Sequence, residues 1–202
     1  LKGASPSTFI DISLGELRSI NINFVGEVKS PGVYPVHPFS TVITGLIQAG
    51  GVDTTGTLRN IILKRDGKIA TKVDLYDYLL KGNLPKNIQL RDQDIVIVPT
   101  RESTIMVDSA VVRPGIYEAT KNENVKQMID YAGGLKYNSS SKVELIRNNT
   151  RNNKKPLNQL ENSNIYFNYI ESNKIPVLNG DRIISHTIFK PLNHVEVIGQ
   201  VD

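Results

Sequence analysis

Three histidines, His37, His186 and His194, are the only imidazoles in the 202 residues, and no cysteine accompanies them. Protein zinc sites are built from Cys thiolates and from His pairs at helical spacing. Here no H-x-x-x-H or H-E-x-x-H pattern exists, so the histidines read as isolated structural or surface groups. Without Cys there is no disulfide, no thiolate nucleophile and no Cys-based metal site. Neither G-x-S-x-G nor G-x-x-x-x-G-K-[ST] is present, which removes the hydrolase elbow and the Walker loop. Asp92 and Asp94 could form a carboxylate pair for glycosidase or metal work, but an equivalent later turn carries Asn179 and Asp181. Only one acid is shared, and an acid just before an apolar strand typically accepts hydrogen bonds from nearby backbone N–H groups. Gly50-Gly51 and Gly133-Gly134 invite a phosphate-cradle reading. Phosphate loops open a helix, however, and these pairs close one.

The groups left for binding are cationic and aromatic. Lys29, Arg59 and Arg113 are candidate loop contacts, with Tyr34 and Tyr117 as stacking faces, although an aromatic on a strand reads first as a core or rim residue. Lys29 and Arg113 fall one residue out of register with each other, which argues against a repeated site. The balance of 24 basic against 20 acidic residues is weak. Its densest basic run, Arg147 to Lys155, holds no aromatic and no apolar residue. A nucleic-acid binder would concentrate and interleave such groups, so this run reads as a solvated loop and no nucleic-acid partner is expected. At 39% hydrophobic and 22% charged residues the chain has a globular composition. No run of eighteen apolar residues is long enough to span a membrane as a helix. The absence of a starting Met and the abrupt end at Asp202 read as a segment of a longer protein.

These candidates are placed by an internal repeat. Pro31-Gly32-Val33-Tyr34 recurs 83 residues later as Pro114-Gly115-Ile116-Tyr117, and Gly50-Gly51 recurs at the same offset as Gly133-Gly134. Ile22, Phe24, Val28 and Lys64 map likewise to Ile105, Val107, Val111 and Arg147. The offset grows to 87 at Asp94-Ile95-Val96-Ile97 and Asp181-Arg182-Ile183-Ile184, which places four extra residues in the Asn-rich stretch from Asn148 to Asn168. Val195 to Val201 then matches Ile22 to Val28, the first strand of a third unit. The expected organisation is a lead-in over 1–19, units over 20–100 and 101–191, and the truncated start of another over 192–202.

Within each unit the periodicity alternates between strand and helix. Ile20, Ile22 and Phe24 alternate with Asn21 and Asn23, a strand with one buried face. Gly26 suggests a bulge or close approach, but Ser109 in the second copy implies that the place does not demand glycine. Ser30-Pro31-Gly32 reads as a turn with positive φ at Gly32, returning through Val33–Val36. Val42, Leu46 and Ala49 form one helical face, repeated by Val125, Ile129 and Ala132. Thr41 and Asn124 stand as N-caps, and the Gly pairs as terminators. Strands at Asn60–Arg65 and Ile69–Val73 flank the Asp66-Gly67 hairpin turn. Asp74 is expected to cap a short helix carrying Leu75, Leu79 and Leu80 up to Gly82. The unit closes on Ile95–Val98. Hairpin, crossing helix and further strands make an α+β unit with a ubiquitin-like β-grasp outline.

The stretch Ile22-Asn23-Phe24-Val25-Gly26-Glu27-Val28-Lys29-Ser30-Pro31-Gly32-Val33-Tyr34, then Ala49-Gly50-Gly51, resembles a soluble-ligand-binding β-grasp (SLBB) domain. Leu58–Arg65, Val73–Gly82 and Leu90-Arg91-Asp92-Gln93-Asp94-Ile95-Val96-Ile97-Val98-Pro99 extend the likeness, and Ser13–Ile20 resembles the lead-in to a first repeat. In this order the repeats are similar to those of outer-membrane polysaccharide export proteins. Gln93 replaces the Gly usual before the last turn's acid, which Gly180 keeps, and Asp108-Ser109-Ala110-Val111 departs from the Gly-Glu-Val form. The resemblance implies two tandem β-grasp domains and a non-catalytic, cofactor-free periplasmic role in a Gram-negative export assembly. Its implied partners are further copies of the protein, the polysaccharide and an inner-membrane polysaccharide co-polymerase. A binding module for a soluble glycan or small ligand is the alternative.

Overall fold

The structure is a computed structural model that describes residues 17–86, 88–148 and 162–188. The expected third-repeat strand, His194, most of the lead-in and most of the Asn-rich basic run lie outside the described residues. The chain packs as two compact units. One comprises the described residues up to Gly56, with Asn60–Asp74 and Leu84–Pro99. The other comprises Thr57–Arg59, Leu75–Asn83 and the described residues from Thr100 onward. Two short pieces of the first sequence repeat are thus packed with the second unit.

The first unit is built on β1 (Ile20–Gly26), β2 (Gly32–Val36), α1 (Val42–Gln48), β3 (Ile61–Arg65), β4 (Lys68–Val73) and β5 (Ile95–Val98). The sheet order is β2-β1-β5-β3-β4, with β1 and β5 parallel and the other pairs antiparallel. Alternation along β1 sends Ile22 and Phe24 to the core, where they meet Val42, Leu46, Leu63 and Val96 with no more than 4% of any of them exposed. Helix α1 lies so close to this core that a Cβ on Gly45 would stand 2.6 Å from the Phe24 ring. Thr41 and Thr44 form the capping box that starts the helix, and Gly50 at φ 82° follows its last turn.

The second unit holds α2 (Tyr76–Lys81), β6 (Thr104–Ser109), β7 (Gly115–Glu118), α3 (Val125–Tyr131), β8 (Ser139–Asn148), β9 (Asn162–Asn168), a 3₁₀ turn (Tyr169–Lys174) and β10 (Arg182–Thr187). Its sheet runs β7-β6-β10-β8-β9, strand for strand the order of the first. Asn124 caps α3 through the same reciprocal geometry, with Gln127 in the role of Thr44. Ile105, Val107, Val125, Ile129, Leu145 and Ile183 are fully buried. The molecule is therefore α+β, two tandem β-grasp domains on mixed five-stranded sheets.

Several local expectations are corrected. Gly32 has the expected positive φ (156°), but it and Gly115 begin the return strands instead of sitting third in a tight turn. The left-handed residue of each hairpin stands earlier, at Gly26 (φ 85°) and Ser109 (φ 71°). The close approach expected at Gly26 is present, since a Cβ there would lie 2.2 Å from the Val98 carbonyl oxygen, while Ser109 shows that the place is strained for a side chain without demanding glycine. Asp74 does not cap α2; Leu75 holds the N-cap place with no side-chain hydrogen bond, and Leu79 is 57% exposed. Arg147 is the counterpart of Arg65 and not of Lys64. Leu63 and Lys64 pair with Val96 and Ile95, as Leu145 and Ile146 pair with Ile183 and Arg182, so the offset there is 82.

Candidate functional site

The corrected register exposes an ion pair present once per repeat. The Arg65 guanidinium donates from Nε (2.8 Å) and Nη2 (2.6 Å) to the two oxygens of Asp94, and Nη2 also donates to the Gln89 carbonyl. Arg147 does the same with Asp181 (3.0 and 2.7 Å) and the Pro176 carbonyl. Each carboxylate also accepts the N–H of the residue three before it, Arg91 or Leu178, at 2.8 Å. The Asp side chains are 0% and 1% exposed. A buried carboxylate held by a bidentate Arg and a backbone N–H is neutralised and has most of its acceptor sites occupied, so Asp94 and Asp181 fasten the last turn to the sheet.

The second unit contains a larger buried network. Arg59 donates from Nη1 to Glu123 at 2.7 Å, with both side chains 8% exposed, while its guanidinium stacks over the Tyr76 ring at 4.5 Å and the Tyr131 ring at 5.3 Å. The Tyr131 hydroxyl donates to Glu123 at 2.6 Å, and Glu118 accepts from the Thr57 hydroxyl and the Leu58 N–H. The Tyr76 hydroxyl accepts the Glu118 N–H. Burial pushes the Glu123 carboxyl up, but the hydrogen bonds from Tyr131, Arg59 and the Thr120 N–H together hold it below the usual carboxylate range. Burial and then the bond to Glu123 raise the Tyr131 phenol to about 12. In β8, the buried Glu144 accepts from Tyr166 (2.8 Å) and Asn164 (2.9 Å) and pairs with His186 (2.8 Å), and these bonds lower its carboxyl.

The residues selected from sequence for ligand contact are dispersed by this geometry. Arg59 is engaged in the buried network. Tyr34 and Tyr117 are half-buried, and their hydroxyls donate back across the hairpin connection to the Ser30 carbonyl (2.8 Å) and the Arg113 carbonyl (2.6 Å). The Tyr34 ring meets Phe24 edge-on at 5.8 Å. Both tyrosines therefore latch their own hairpins, at Ser30-Pro31-Gly32 and Arg113-Pro114-Gly115. Lys29 is exposed, and so is Arg113, which reaches the Tyr131 carbonyl at 3.2 Å. Sequence reasoning missed the polar cluster of Arg59, Glu118, Glu123 and Tyr131, whose members are far apart in the chain. It also missed Arg65, which a one-residue shift of register would have found.

The first unit carries a cleft of about 590 Å³ lined by Thr41, Arg65, Ala70, Ile88, Gln89 and Arg91. Its walls are the backbone bridge between Thr41 and Gln89 and the bulge in β4, where Ala70 is the extra residue between the pairs Leu63–Thr71 and Lys64–Ile69. Among the described residues no group of three His, Cys, Asp or Glu could hold a metal, and no helix is long and apolar enough to cross a membrane.

Residues 21–98 match the SLBB domain family, and residues 105–156 match it a second time. The polysialic acid transport protein KpsD of Escherichia coli is 35% identical over 100 residues, 49% of this chain and 18% of that protein. The EPS I polysaccharide export outer membrane protein EpsA of Ralstonia nicotianae is 35% identical over 122 residues, 58% of this chain and 32% of that protein. The chain thus spans between 18% and 32% of the length of these curated relatives. Two SLBB matches that together cover more than half of the sequence, on two β-grasp sheets of identical strand order, place this chain in the SLBB domain family as a tandem repeat.

Proposed function

We propose that this chain is the non-catalytic, periplasmic repeat portion of a polysaccharide export protein, acting through subunit assembly and contacts within an envelope translocon. The observation that carries the reading is the tandem SLBB match joined to 35% identity with an export protein over 122 residues. The side-chain chemistry supports it. The buried acids Asp94, Asp181, Glu118 and Glu123 are all occupied by partners within the fold, as expected of carboxylates that hold structure and not of a reaction centre. The return strands expose an apolar residue at the same place in each repeat, Val33 at 64% and Ile116 at 65%, available for contact with another copy or with an inner-membrane co-polymerase. Deleting the parent gene and fractionating polysaccharide into surface, periplasmic and cytoplasmic pools tests the reading. Loss from the surface is expected. Normal surface polysaccharide in a strain with no paralogue would transfer the assignment to the second reading, a soluble-glycan binding module, which the arginine-lined cleft favours.

A further inference from the structure

We infer that the cleft of the first unit is a binding site for a carboxylated sugar. The anionic group is argued from the geometry, and its carbohydrate nature rests on the export reading. Two side chains on the rim, Gln89 and Arg91, are exposed, and among the described residues neither makes a side-chain hydrogen bond or ion pair. Arg65, by contrast, is committed to Asp94 and the Gln89 carbonyl, so it neutralises Asp94 and leaves Arg91, among the described residues of the cleft, as the cation without a partner. A guanidinium presents parallel N–H donors that match the two oxygens of a carboxylate, and the Gln89 amide adds a donor and an acceptor beside it. Ala70 and Ile88 supply an apolar floor for the C–H face of a pyranose ring. A volume of about 590 Å³ lies within the range of small-molecule sites.

The second repeat acts as an internal control. Its last turn keeps the same backbone bond to the Asp and the same Arg pair, but puts Pro176 in the place of Gln89 and Leu178 in the place of Arg91. The fold therefore does not need a cation or an amide there. Their presence in the first repeat has no structural purpose visible in the hydrogen bonding.

The test titrates the full chain, followed by amide chemical shifts, with an α2,8-linked sialic acid tetramer, the sialic acid monomer, the tetramer with its carboxyls reduced to alcohols, and acetate. Saturable shifts at Thr41, Ile88, Gln89 and Arg91 are expected with the acid sugars, weakening with salt and absent with the reduced tetramer. The monomer and tetramer arms separate recognition of one acidic residue from recognition of a chain; binding of either supports the site. Arg91→Leu, which copies the second repeat and so is expected to fold, should weaken binding about tenfold or more, as for loss of a charged hydrogen bond. Gln89→Ala, which leaves the backbone carbonyl for Arg65, should weaken it less. No saturable shift, equal affinity for acetate, or unchanged binding by Arg91→Leu would each overturn the proposal. The export reading stands or falls separately, on whether the deletion strain loses surface polysaccharide.

Discussion

The two repeats share a sheet order and an Arg–Asp fastening, yet differ in what surrounds it. Arg65–Asp94 and Arg147–Asp181 are superimposable in donor, acceptor and third partner. The second unit then adds Glu118, Glu123 and Tyr131, where the first repeat has Pro35, Ser40 and Gln48 at the corresponding places. The first repeat adds Arg91, whose side chain has no hydrogen bond or ion pair among the described residues, where the second has Leu178. What is common is what the β-grasp needs to close its last turn. What is particular is a buried polar network in one unit and an open cationic cleft in the other.

The common element offers the largest effect. Arg65→Ala and Arg147→Ala each leave a fully buried carboxylate without its cation, which is expected to cost about 2–3 kcal/mol once the partial exposure of the arginines, 23% and 19%, is allowed for. Native-state hydrogen exchange at Leu63 in the first core and Leu145 in the second reads the two units separately. Each variant should lower protection in its own core by a similar amount. If Arg147→Ala were silent while Arg65→Ala was not, the fastening would not be equivalent in the two repeats.

The glycines sharpen the comparison, because each repeat places a side chain where the other has none. Gly26 at φ 85° faces Ser109 at φ 71°, and Gln93 at φ 65° faces Gly180 at φ 86°. Ser109→Gly and Gln93→Gly should each stabilise by about 0.5–1 kcal/mol by relieving a left-handed side-chain-bearing residue. Gly26→Ala should destabilise by about 2 kcal/mol, since conformational strain is joined by the clash with the Val98 carbonyl. Urea midpoints at constant slope would measure all three. A destabilising Ser109→Gly would mean that the greater freedom of glycine in the unfolded chain outweighs the strain it relieves.

The elements were legible in the sequence because they are local. Alternation in Ile20–Phe24, the Thr41 and Asn124 caps and the Asp66-Gly67 turn each act within a few residues, and the structure follows them. The repeat added long-range information, since two copies of one pattern must bury the same positions. Its alignment failed by one residue at Arg147, because β8 and β9 are longer than β3 and β4 and Lys64 offered a matching charge. The Arg59–Glu123–Tyr131 network was illegible for a different reason. Its members are 64 and 8 residues apart, follow no period, and have no counterpart in the other repeat. The cleft was missed because it is lined by residues from α1's start, β3, β4 and the last turn, which only the fold brings together.

The smallest expected effect tests that network through pH. In the folded chain the Tyr131 phenol is raised from 10.0 to about 12, because burial and the hydrogen bond to Glu123 both favour the neutral form. A raised pKa means that the unfolded chain loses this proton first. The stabilisation is therefore complete below pH 10 and is lost as pH climbs from 10 through about 12. Tyr131→Phe removes the titrating group while keeping the ring over Arg59, so its stability should fall less steeply than wild type across that window. The first repeat has Gln48 in this place and contributes nothing comparable. Hydrogen-exchange rates change intrinsically with pH, so the slopes are best compared by urea unfolding of wild type and Tyr131→Phe side by side. Parallel slopes would place the hydroxyl outside the energetics of the network.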